Sequence, residues 1–217
     1  MQYVLALLCF GLVVTPVLAK TPTVLVLGDS LTAGYGLSRA QAFPALLAEK
    51  AERAGLKIHV VNAGVSGGTT SGGLHRLPHL LHQRIDVLLI ELGVNDAFRN
   101  VPVPEIAANL QKIIDLARAR YPTMKIVIAG MQLPRYSEDD YVTRFGAMYV
   151  ELARRNHVAL VPFLLAGVLG NPALNLSDMI HPNAAGQEIL AENVWPVLES
   201  VLREKPALHP IARANAN

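Results

Sequence analysis

A serine near the start of the chain, and an acid and a base three positions apart near its end, are the residues best suited to do chemistry. Ser30 lies in the tetrad Gly28-Asp29-Ser30-Leu31, directly after the apolar run 24–27, and Asp178-Met179-Ile180-His181 supplies the other two. A serine hydroxyl is a weak nucleophile until a base takes its proton, and that base needs an acceptor to hold its tautomer. His181 can serve as the base, with Asp178 accepting from Nδ1–H inside one turn while Nε2 faces the serine. The plainer reading makes Asp178 a helix N-cap and His181 a surface histidine; the presence of Ser30 weighs against it. Asp29 points away from its neighbour Ser30, so its expected role is to organise the turn.

Acyl transfer through a serine also needs hydrogen-bond donors aimed at the developing oxyanion. The backbone N–H groups of Ser30 and Gly64 and the amide of Asn95, within Gly93-Val94-Asn95-Asp96, are the three candidates. Gly and Asn also recur wherever turns need positive φ, which is the competing account of Gly64 and Asn95.

Several motifs compete with this constellation. Gly64-Val65-Ser66-Gly67-Gly68 fits the G-x-S-x-G elbow, making Ser66 the rival nucleophile. It is expected to lose, because Asn62-Ala63 separates it from the preceding strand and because it leaves the Ser30 block without a purpose. His75, His79 and His82 have the spacing of a metal-binding helix face, but Pro78 interrupts them and no carboxylate lies on that face. A helix surface is the better account. Glu91 is expected to organise the end of the third strand, and the sequon Asn175-Leu176-Ser177 is a frequent chance occurrence.

These residues need a scaffold, and the chain alternates short apolar runs with longer helical patterns. The runs 23–27, 58–61, 87–90, 126–129 and 159–162 are continuous rather than alternating, as in strands covered on both faces. Segments 41–54, 70–82, 103–121, 139–156 and 182–203 carry apolar residues at helical spacing. Pro182 is expected to open the last helix and hold His181 at its boundary. The pattern predicts an α/β protein, a three-layer α/β/α sandwich around a doubly wound five-stranded parallel sheet. The active face should lie at the carboxyl ends of the strands, where the unusual residues cluster.

Residues 1–19 contain no charged side chain and end in Val17-Leu18-Ala19, which reads as a signal peptide cleaved after Ala19. The single cysteine, Cys9, lies inside it, so the mature chain would contain no disulfide and no thiolate. Residues 20–204 form one domain of ordinary size, and 205–217 read as a loosely held tail. A formal net charge of +2 gives no footprint for nucleic acid, and no cofactor is called for.

With these motifs in place, the chain resembles the GDSL or SGNH hydrolase superfamily over most of residues 23–203. It is similar to the secreted bacterial thioesterase I, lysophospholipase and arylesterase group. Four blocks carry the resemblance: Gly28-Asp29-Ser30-Leu31, Gly64-Val65-Ser66-Gly67-Gly68-Thr69, Gly93-Val94-Asn95-Asp96 and Asp178-Met179-Ile180-His181-Pro182. The resemblance implies a flavodoxin-like fold and metal-free hydrolysis of small acyl esters or thioesters through an acyl-serine, with transient contact to lipid substrates. Removal of acetyl groups from carbohydrate is the alternative within the superfamily, and a catalytically inactive binding module is the alternative outside it. The loop after the fourth strand, Leu133-Pro134-Arg135-Tyr136-Ser137, lacks the Asn and Gly of the thioesterase I pattern. It supplies Pro134, Arg135 and Tyr136 as substrate-contact candidates, with Arg135 suited to an anionic group or simply to solvent.

Overall fold

A computed structural model describes residues 20–134 and 140–204. The expected leader, the tail, and Arg135 and Tyr136 of the substrate loop lie outside the described residues. In chain order the elements are β1 (Thr23–Gly28), α1 (Ser30–Ala33), α2 (Phe43–Arg53), β2 (His59–Gly64), α3 (Thr70–Leu80), β3 (Val87–Glu91), α4 (Val94–Phe98), α5 (Val103–Arg120), β4 (Lys125–Ala129), α6 (Asp140–Asn156), β5 (Ala159–Val161) and α7 (Ala184–Arg203).

The five strands form one parallel sheet in the order β2-β1-β3-β4-β5. β1 and β3 are interior strands, and their unbroken apolar sequences are buried almost end to end. Helix α2 packs on α7, while α5 packs between α3 and α6; β4 and β5 touch both α6 and α7, which puts the sheet between the two helical groups. The chain leaves β1 towards β2 on one side and returns to β3 on the other. In an open α/β sheet this reversal opens a crevice beyond the carboxyl ends of the two strands. Ser30 stands two residues past the end of β1, in that crevice.

The main departure from the expected elements is β2, which runs three residues further than its apolar core and includes Asn62, Ala63 and Gly64. Those residues pair in register with Val26, Leu27 and Gly28. As an edge strand, β2 has less need of a continuous apolar run. Pro182 does not open α7 either: Asn183 is its N-cap, accepting from Gly186 N–H at 3.0 Å, and Pro182 pairs in an antiparallel bridge with Asn175.

Candidate active site

At the end of β1 the chain turns sharply, and Asp29 makes the turn hold. Its Oδ1 accepts from Leu31 N–H at 3.0 Å, capping the four-residue helix α1 that begins at Ser30. Gly28 has to be glycine: a Cβ there would lie 1.9 Å from Thr32 Oγ1 and 2.6 Å from Glu91 Oε2. As the first residue of a helix, Ser30 has an N–H with no intrahelical acceptor, and among the described residues it has no other. Ser30 is 8% exposed, so its hydroxyl is screened from solvent yet reachable.

The turn before α7 brings His181 to the serine. His181 Nε2 lies 3.0 Å from Ser30 Oγ, and His181 Nδ1 lies 2.7 Å from Asp178 Oδ2. Asp178 Oδ1 accepts from the backbone N–H groups of Ile180 and His181, each at 2.9 Å. With Met179 at φ 59°, these bonds wrap the acid around its own turn and leave the imidazole one orientation. The His181 N–H, the imidazole and the Ile180 N–H hold the Asp178 carboxyl down at about 2, so it stays ionised through any working pH. Its stabilising effect is present above the ordinary value of 3.8 and is lost as the pH falls towards about 2. The Tyr35 ring covers one side of the imidazole, with centroids 4.3 Å apart.

Asn95 sits at the start of α4, and its amide donates to Asp29 Oδ2 at 2.9 Å. One of its two N–H bonds is therefore fixed, which orients the other. Gly64 does not have the free donor expected of it. It lies inside β2, and its N–H donates to Asn62 Oδ1 at 2.9 Å. Its role is packing, since a Cβ would come within 2.2 Å of Ala33 N in α1. Gly64→Ala should therefore lower the thermal midpoint measurably, by an overpacking cost of about 1–3 kcal/mol; unchanged melting would contradict this role. Gly67, at φ 75°, is one of the loop residues whose N–H has no acceptor among the described residues. Its carbonyl accepts from Arg99, just past α4, at 3.2 Å. The signal that could have separated the two glycines is Asn62-Ala63-Gly64, where an Asn side chain readily takes the N–H two residues on.

The other sequence candidates fall outside this constellation. Ser66 is exposed and has no hydrogen bond to a histidine among the described residues. It stands only two residues past β2, so distance from the strand does not disqualify it; lack of a base does. His75, His79 and His82 are exposed on or just beyond α3, and no group of three metal-ligating side chains occurs among the described residues. Asn175 is 6% exposed and donates to the Val168 and Asn171 carbonyls, so the sequon is closed to modification in the folded chain. Pro134, the last described residue before position 135, is part-buried.

The GDSL-like Lipase/Acylhydrolase family model matches residues 26–189. The chain is 40% identical over 195 residues to an esterase named TesA from Pseudomonas aeruginosa, covering 89% of this chain and 96% of that protein. It is 37% identical over 175 residues to thioesterase 1/protease 1/lysophospholipase L1 from Escherichia coli, covering 80% of this chain and 82% of that protein. A crystal structure of TesA superposes with a TM-score of 0.78 at 40% identity, covering 82% of this chain and 99% of that one.

Proposed function

Because this chain belongs to the GDSL-like lipase/acylhydrolase family and is an ester-hydrolysing serine hydrolase, we propose that it cleaves carboxylic acyl esters and thioesters through an acyl intermediate on Ser30. The reading is carried by one observation, the unbroken chain Ser30 Oγ to His181 Nε2 at 3.0 Å and His181 Nδ1 to Asp178 Oδ2 at 2.7 Å. Ser30 Oγ attacks the acyl carbonyl as its proton passes to His181 Nε2, and Asp178 stabilises the imidazolium. The carbonyl oxygen becomes an oxyanion held by the Ser30 N–H, the free Asn95 amide hydrogen and the Gly67 N–H. His181 then protonates the leaving alcohol or thiol, the C–O or C–S bond breaks, and the same imidazole activates water to release the acid.

The test is a panel of acyl esters and thioesters of increasing chain length offered to purified protein in the presence of a chelator. Turnover should persist under chelation, and Ser66→Ala should remain within about twofold of wild type, as expected of an exposed hydroxyl with no hydrogen bond to a histidine among the described residues. A metal requirement, or an inactive Ser66→Ala protein, would overturn the assignment. We also propose export with cleavage after Ala19, checked by N-terminal sequencing of the processed protein, which should start at Lys20. Among the described residues no helix is long and apolar enough to cross a membrane.

A further inference from the structure

Glu91 ends β3 directly beneath the nucleophile turn and is fully buried. Its Oε2 accepts from Asp29 N–H at 3.1 Å and from Thr32 Oγ1 at 2.7 Å, while Oε1, equally buried, has no hydrogen-bond partner. Both oxygens of the neighbouring Asp29 are engaged, one by Leu31 N–H and the other by the Asn95 amide. Three of the four carboxyl oxygens thus accept hydrogen bonds and one does not.

Two buried carboxylates side by side cannot both ionise without a large desolvation and repulsion cost. A proton on Oε1 removes that cost, because it turns an orphaned acceptor into a donor beside an anion. Glu91 Oε2 takes the Asp29 N–H, so the two carboxyls are close neighbours, and burial pushes both up, Asp29 to about 6 and Glu91 well above the ordinary carboxylate range. The other charged or titratable groups facing the pair leave this arrangement intact. Arg76, from α3, donates to the Gly28 and Ala63 carbonyls rather than to either carboxylate. Tyr149, from α6, donates to the Leu92 carbonyl, and the electrostatic pull of His181 is the weakest of the influences on the Asp29 carboxyl.

We propose that Glu91 is a neutral carboxylic acid in the working enzyme and donates its Oε1–H to Asp29, leaving a single negative charge on Asp29 that fixes the Asn95 amide. Glu91 is a positioning residue, acting through Asp29 on an oxyanion donor. The role in turnover rests on the proposed function above; the protonation does not.

The experiment is infrared spectroscopy of the intact protein at pH 8 with and without 13C-labelled glutamate, paired with kinetics of two variants. The wild type should show a carboxylic-acid C=O band that shifts on glutamate labelling, persists in Ser30→Ala and is missing in Glu91→Gln. Glutamine keeps a donor for Asp29 and an acceptor for Thr32, so kcat should recover to within about fivefold of wild type. Glu91→Leu should lose about 100-fold in kcat with little change in KM, as when one oxyanion donor is misplaced. Absence of the band, a band indifferent to glutamate labelling, or a Gln variant as slow as the Leu variant would overturn the proposal. If Glu91→Leu does not fold, the infrared result decides alone. A failure of the acyl-serine reading would abolish the effect of Ser30→Ala on turnover but leave the band in place.

Discussion

Ser30→Ala is expected to lower kcat by about 10,000-fold or more, with KM and the thermal midpoint little changed. The loss is large because in the proposed mechanism the hydroxyl bonds to the acyl carbon, and among the described residues no second nucleophile is hydrogen-bonded to His181 Nε2, which lies 3.0 Å from Ser30 Oγ. The fold should tolerate the change, since removing Oγ leaves the backbone of α1 and the Asp29 cap in place. His181→Ala should be about as damaging, and the double variant no worse than either single one, because residues acting as a unit are not additive. Steady-state kinetics with one chromogenic ester checks all three, and additive losses would mean that the two residues do not act as one device.

Asp29→Asn is expected to separate stability from activity. In the wild type, Asp29 accepts from Asn95, which in the proposed mechanism leaves that amide's second hydrogen for the oxyanion. An Asn at position 29 keeps an acceptor for Leu31 N–H but turns an NH2 group towards Asn95. Asn95 must then rotate its oxygen inward and withdraw its donor. Loss of one oxyanion donor typically costs about 100 to 1,000-fold in kcat, and a value in that range is expected here with KM nearly constant. Stability should move the other way at neutral pH. The folded-state carboxyl stands at about 6 against an ordinary value of 3.8, so the native state holds the extra proton between those values. Wild-type stability therefore falls as the pH rises through that window, by on the order of 3 kcal/mol once the group is fully ionised. Asp29→Asn should accordingly melt higher than wild type at pH 8, with the difference shrinking towards pH 4. A variant that is both fully active and less stable at pH 8 would contradict the coupling of Asp29 to Asn95.

The parts of this site that were legible in the sequence are those set by local pattern. Ser30 follows a buried apolar run, and Asp178 and His181 share one turn, so their candidacy could be read from short strings, and the structure brings the three together. The interior strands were equally clear, because β1 and β3 are apolar almost throughout. What remained hidden depends on contacts between distant segments or on elements too small to carry periodicity. Helices α1 and α4 have four and five residues, less than two turns each. The last residues of β2 are polar or small because an edge strand can be, and this concealed that Gly64 belongs to the sheet. Gly64 and Gly67 sit in one short string, and the one local cue that separates them is Asn62, whose Oδ1 takes the Gly64 N–H. The Asp29 bond to Asn95 spans 66 residues, and nothing local announces that the Asp in the tetrad orients an amide on another loop.

The most direct test of the account is covalent trapping by a fluorophosphonate, read by intact mass and peptide mapping. The account predicts one phosphonyl group per chain, on Ser30, with simultaneous loss of hydrolysis and no labelling of Ser30→Ala. A label on Ser66, or unlabelled protein that still turns over in excess reagent, would contradict it.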